Sequence, residues 1–395
     1  MPLLVPQFLT ERALRERLLE LGQRAHFGVE LAGFTQDQRG VTAQLVGAHG
    51  EQTVRARYLI GADGGRSVVR HALGVGFPGK TLQVRAIVAD LALTGLSRDV
   101  WHRFGEGDMT AQLALCPLAG GESFQLQAPV PLEGEIDLSR AGLNALIAER
   151  TRRDGIHVHA VSWASAYQMN ARLADHYHSG RVFLVGDAAH VHPPTGGQGL
   201  NTSVQDAYNL AWKLAAVLND AAPDTLLDSY EEERRPIAAS LLGLSTKLLE
   251  AMKRGDLRRG RETKQLDLAY PESSLALEQP TRGARMFAGH RAPDVLLLGA
   301  AGQPRRLFEL FQETHWTLPG YGAARDQIAA RPGLHLHTIG GRGELIDAHG
   351  QMRDTYGMRE GDWLLVRPDG YIGAIVTSDR LTALAPYFAS VGLRA

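Results

Sequence analysis

A single cysteine, Cys116, stands in a chain of 395 residues. One thiol cannot close an internal disulfide, build a CxxC redox pair or furnish a cysteine-rich zinc site, and its isolation points to the reducing cytoplasm. Charge of one sign is also lacking. Lys and Arg number 42 against 43 Asp and Glu, so the net charge of -1 offers no global field for nucleic acid or for an acidic membrane. Long apolar runs are missing too. The first residues, MPLLVPQFLTERALRERLLELG, turn charged and helical before an export signal or a membrane span could form, and no repeat of fixed period is visible. What remains, 44% hydrophobic and 22% charged residues, suits a globular chain of two or three packed units.

Thr10 is placed to cap a helix carrying Leu14, Leu18 and Leu21 on one stripe, after an extended entry from Val5 to Phe8. Alternation over Val41–Val46 and Thr53–Ile60, split by a polar turn, predicts a hairpin running into a buried strand. From Thr81 to Gln168 the texture is that of an antiparallel sheet. A buried strand at Val182–Val185 then meets a Gly/Pro loop and a helix over Ser203–Leu218 with apolar positions at 204, 208, 211, 214 and 218. A charged helical stretch from 224 to 264, a connection at 270–289 and a last α/β unit complete the chain.

Residues 74–81, GVGFPGKT, satisfy both GxGxxG and the Walker form. A phosphate cradle needs a strand before the loop and a helix after it. Here the order is reversed, and Pro78 removes an amide donor, so a helix-to-strand turn is expected.

Two other turns carry chemistry. In GRVFLVGDAAHVHPPTGGQGLN (180–201) a buried strand delivers Asp187 into a glycine loop that opens a helix. Asp187 can accept hydrogen bonds from sugar hydroxyls, Gly196, Gly197 and Gly199 let backbone amides approach closely, and the helix N-terminus suits the electron-rich N1/O2 side of an isoalloxazine. YLIGADGGRSVVR (58–70) repeats the pattern with Asp63. Gln7, before the first helix, is a weaker candidate. His190 and His192 flank Val191 and are expected on opposite sides of an extended loop, which together with the absence of further ligands argues against a metal.

The motifs GADGGRS and GDAAHVHPPTGGQGLN resemble those of the group A flavoprotein monooxygenases related to para-hydroxybenzoate hydroxylase, and most closely the phenol, polyketide and rifampicin hydroxylases. The likeness covers nearly the whole chain. It implies an α/β fold: a truncated Rossmann-like FAD-binding domain (1–80 and 171–265) interrupted by a β-sheet substrate domain (81–170), plus a thioredoxin-like C-terminal domain (282–395) suggested by GHRAPDVLL and LLVRPDGYIGA. By position it implies that Gln7, Asp63 and Asp187 contact FAD and that Pro194, Gly197, Gly199, Leu200 and Asn201 border the flavin. Family chemistry is reduction of FAD by NAD(P)H, addition of O2 at flavin C4a, and transfer of oxygen from the hydroperoxide to an aromatic substrate, with no catalytic side chain and no metal required. The chain departs from the family at its start, since no strand–GxGxxG–helix precedes Gln7. A displaced start, a complementing chain or a degenerate homologue would each account for that, and a homo-oligomer stays open. The competing expectation is a non-catalytic protein that keeps the aromatic pocket and binds FAD weakly.

Overall fold

The computed structural model describes residues 4–105, 110–194, 197–219, 221–253, 260, 264–281, 286–340 and 343–394. Pro6, which has no amide to leave unsatisfied, precedes helix α1 (Gln7–Glu20). The helix therefore begins earlier than the Thr10 cap anticipated. No residue of α1 is buried, so the Leu14 and Leu21 side of its stripe is left uncovered by the described residues.

A three-stranded antiparallel meander follows, β1 (Val29–Asp37), β2 (Gly40–Gly47) and β3 (Gly50–Ala56). The expected hairpin is β2–β3, closed where Gly47 faces Gly50, but β3 is largely exposed and stops at Ala56, so the buried strand expected to run on to Ile60 is not formed. Strand β1 lacks clean alternation and was not legible. Then come β4 (Leu59–Gly61), α2 (Val68–Ala72), β5 (Gly79–Thr94), β6 (His102–Phe104), β7 (Leu113–Pro117), β8 (Phe124–Val130), α3 (Arg140–Thr151), β9 (His157–Leu173), β10 (His178–Ser179), β11 (Val182–Leu184), β12 (His190–Val191), α4 (Gly199–Leu218) and α5 (Asp228–Lys253). The GVGFPGKT segment joins the end of α2 to the start of β5, the helix-to-strand turn expected of it.

Strands β12-β9-β5-β8-β7-β6 make a six-stranded sheet, antiparallel at every pairing. Alternation along β5 splits its side chains between two faces. Ile87, Ala89 and Leu91 pack with Leu126 on Leu143 and Ile147 of α3. Leu82, Val84 and Ala86 face the other way, onto Met169 and onto Leu249 of α5. A smaller sheet, β10-β11-β4, places β11 parallel to β4.

The last unit holds β13 (Leu277–Gln279), β14 (Leu296–Gly299), β15 (Pro304–Arg306), α6 (Leu307–Leu310), β16 (Trp316–Tyr321), β17 (Leu334–Ile339), β18 (Leu345–Ile346), α7 (Gln351–Tyr356), β19 (Asp362–Val366), β20 (Ile372–Thr377) and α8 (Leu384–Val391). Its central strands run β20-β19-β16-β17, with β16 and β17 parallel and β19 antiparallel to both neighbours, the order of a thioredoxin-type sheet. Residues 277–279 correct the reading of 270–289 as mere connection, because they form an edge strand on β20. This sheet shares a core with α4: the Trp212 and Trp316 rings meet edge to face at 5.4 Å. Among the described residues no helix is long and apolar enough to cross a membrane.

Candidate functional site

Parallel pairing of β4 with β11 aligns Gly61 with Leu184, so the turns bearing Asp63 and Asp187 leave the carboxyl ends of adjacent strands. That edge is where ligands of open α/β sheets bind. Arg70 clamps the two turns together. Its Nη1 donates to Ala188 O (2.9 Å), its Nη2 to Gly65 O (2.9 Å), and its guanidinium lies 3.8 Å from the Phe77 ring centre. Arg70 is buried, and its Nε has no partner among the described residues.

The two aspartates differ in what they touch. Asp63 accepts from Ser67 Oγ (2.5 Å) and Val69 N (3.1 Å), so it anchors the start of α2. Burial alone would raise its pKa, but these bonds outweigh that and hold the carboxyl below the usual range. Asp187 is exposed on a short 3-10 turn, Gly186–Ala188, whose first residue takes φ +60°. Its charge acts on the neighbouring His192, whose imidazole is pushed down in pKa by burial and by His190.

Pro194 O accepts from Gly197 N (2.9 Å), and Gly197, at φ +64°, turns the chain into α4. Gly196 lies outside the described residues. Gln198 precedes α4 without a side-chain cap, and the first turn holds no acid. The first amides of a 20-residue helix therefore point out beside Gly199, Leu200 and Asn201. Leu200 is 68% exposed, and Asn201 donates to Gly197 O (3.3 Å). An uncapped positive helix end, an exposed carboxylate and a glycine with no Cβ obstruction fit a flavin and its sugar hydroxyls. The structure thus brings together Asp63, Asp187, Pro194, Gly197, Gly199, Leu200 and Asn201. Gln7 is not joined to them by any described contact, since its side chain donates to Glu11 (2.7 Å) within α1.

His190 and His192 do not point to opposite sides. Residues two apart in extended backbone share a side, and their rings lie parallel with centroids 6.0 Å apart. His190 Nε2 meets Asp206 at 2.7 Å, while His190 Nδ1 and His192 Nε2 are buried without partners among the described residues.

Sequence reasoning missed two features. One is a cavity of about 430 Å³ beside the Asp63 turn, lined by Arg66, Arg70 and Arg172 as well as Gly65, Phe77 and Val191. Arg66 and Arg70 were visible in the motif, but Arg172 arrives from β9. The other is the buried face of α4. Val204 and Tyr208 are 56% and 52% exposed, and the helix buries Thr202, Asp206, Asn209, Leu210, Lys213, Leu214 and Val217 instead. Polar residues that satisfy one another lie inward, so hydrophobic periodicity misplaced positions 204, 208 and 211, while Leu214 is buried and Leu218 packs on the core as expected.

Residues 1–245 match the family model described as FAD binding domain. Over 379 residues the chain is 40% identical to a flavin-dependent monooxygenase of Mycobacteroides abscessus, covering 95% of this chain and 76% of that protein. It is 34% identical over 397 residues to the 12-dehydrotetracycline 5-monooxygenase/anhydrotetracycline 6-monooxygenase of Streptomyces rimosus, covering 94% and 76%. Among solved structures it resembles aklavinone-11 hydroxylase in complex with FAD and aklavinone, at a TM-score of 0.83 and 27% identity, covering 99% of this chain and 78% of that one. The chain belongs to the family of FAD-dependent aromatic monooxygenases.

Proposed function

We propose that the chain hydroxylates a phenolic or polycyclic aromatic substrate in the cytoplasm, with NAD(P)H as reductant and O2 as oxygen source. The observation that carries this is the pairing of β4 with β11, which sets both motif turns on one edge under the Arg70 clamp. Relatives that act on anhydrotetracycline and aklavinone support the polycyclic class.

Bound FAD would accept a hydride from NAD(P)H and activate O2, so that one oxygen atom enters the ring and the other leaves as water. The residues of the chain bind and orient. Asp187 accepts from ribityl or ribose hydroxyls, and the α4 amides stabilise negative charge on the N1/O2 side. Arg66, Arg70 and Arg172 give the neighbouring cavity a positive lining that suits a dinucleotide phosphate. The substrate lies on the sheet face that carries Ala86 and Tyr167. Further along that face Gln127 Nε2 donates to Gln125 (2.7 Å) and Gln125 Nε2 to Asp90 (3.3 Å), a polar row able to meet ring oxygens.

The test is to supply the purified chain with FAD, NAD(P)H, labelled dioxygen and a panel of polycyclic phenols. Substrate-stimulated oxidation of NAD(P)H with labelled oxygen in the product is expected. A flavin that binds but is never reduced by either nicotinamide overturns the reading.

A further inference from the structure

Behind the exposed loop runs a chain of buried charges that neither motif announces. Asp206 of α4 is fully buried. Its Oδ2 accepts from Gly186 N (3.2 Å) and meets His190 Nε2 (2.7 Å), and its Oδ1 accepts from Arg234 Nε (2.7 Å). Burial would raise its pKa, but the His190 bond and the Arg234 charge outweigh that and keep it ionised. One carboxylate therefore fixes both ends of the segment Gly186–His190. Asp187 lies between those two fixed points, directed outward.

Arg234 continues the chain. It donates to Thr202 O (3.3 Å) and to Tyr270 Oη (2.8 Å), and Tyr270 stacks on Tyr371 at 4.3 Å. The preceding residue, Glu233, accepts from Arg367 at 2.6 and 2.8 Å, from Lys213 (2.9 Å) and from Asn209 (2.7 Å). Arg367 belongs to the turn between β19 and β20, in the thioredoxin-like sheet, and also holds Asp369 (2.6 Å). Adjacent residues of α5 thus tie the carboxy-terminal sheet to the loop that presents Asp187. An apolar core would stabilise such a junction as well or better. The charged chain adds direction: it ends on a backbone amide and an imidazole of one loop.

We propose that Asp206 and His190 are positioning residues for the flavin loop, and that Arg367 acts on the same loop through Glu233 and Arg234. The carboxy-terminal sheet then helps set how tightly FAD is held and what surrounds its ring. This rests on the assignment of the Asp187 loop to the flavin.

The experiment uses the full chain titrated with FAD, reading the dissociation constant from fluorescence quenching, the position of the visible flavin bands and, separately, the melting temperature. His190→Leu leaves the Asp206–Arg234 pair in place, so it avoids stranding a buried guanidinium. It is expected to weaken FAD at least tenfold and shift the bands, whereas His190→Gln, which can still donate to Asp206, stays within about threefold of wild type. Arg367→Met is expected to shift both readouts in the same direction by a smaller factor. Wild-type binding with His190→Leu and Arg367→Met unchanged in dissociation constant and band position overturns the proposal alone, even if their melting points fall. A wild-type chain with no saturable FAD binding overturns the flavin assignment and the proposal together.

Discussion

The Asp63 and Asp187 turns have the same grammar, a short strand delivering Gly, Asp and a helix start, and they lie side by side, although only the strand before Asp187 is buried throughout. Apart from the shared Arg70 clamp, they are held in different ways. The Asp63 turn is braced locally: its carboxylate accepts from Ser67 Oγ, the cap of its own helix, and from Val69 N. The Asp187 turn is held from behind by a residue twenty positions further on, so its own carboxylate is left for a ligand. A motif aspartate can thus be scaffold or contact, and the distinction lies in who satisfies the turn's backbone.

The comparison breaks most severely at Asp206. Asp206→Ala removes the carboxylate that bonds Gly186 N and His190 Nε2 and leaves the buried Arg234 without its counter-charge, for which about 3–5 kcal/mol of stability is expected to be lost, measured by urea unfolding. Next comes Asp187→Ala. Its exposed carboxylate makes no hydrogen bond to the described residues, so stability should stay within about 0.5 kcal/mol. FAD should weaken about ten- to hundredfold, the loss of charge-assisted bonds worth roughly 1.5–3 kcal/mol, measured by flavin titration. Asp63→Ala should show the reverse, about 1 kcal/mol of stability lost with the bonds to Ser67 Oγ and Val69 N at the start of α2 and FAD affinity changed by less than about threefold. If Asp63→Ala hurts flavin binding more than Asp187→Ala does, the assignment of roles is inverted.

Much of this was legible because strand, glycine turn and helix are local patterns: β4, β11, the Asp187 loop and the sheet over 81–168 all follow from neighbours in sequence. The buried charges were not. His190, Asp206, Arg234 and Arg367 are far apart in the chain and meet only once α4, α5 and the β19–β20 turn have packed. A signal did exist, since Asp206, Asn209 and Lys213 recur at helical spacing beside Leu210, Leu214 and Val217. Counting apolar residues alone gave Val204 and Tyr208 the inward side. Tyr208 instead reaches Pro368 O (3.0 Å) across the junction with the last sheet.

The last expected effect separates the two turns by pH. Only the buried chain behind the Asp187 loop contains a lysine: Lys213, fully buried, bonded to Asn209 Oδ1 (2.8 Å) and Glu233 (2.9 Å). Burial, helped by the Arg367 charge and opposed by Glu233, brings its pKa down from 10.5 to about 8. Below pH 8 the amine is charged in native and unfolded chains alike, and the native state bears the whole cost of burying it. Between pH 8 and 10.5 the unfolded chain binds a proton that the native chain lacks, so stability from this group rises with pH across that window. Other groups titrate there too, which makes Lys213→Met the reference: Glu233 keeps Arg367 and Asn209 in that variant, and the lysine's titration is gone. Urea unfolding of both proteins at a series of pH values should give a wild-type-minus-variant difference that climbs from pH 8 towards 10.5 and is flat below 8. A difference that stays flat throughout would mean that Glu233 holds the proton on Lys213, and that the chain behind the loop stays fully ionised wherever the protein is folded.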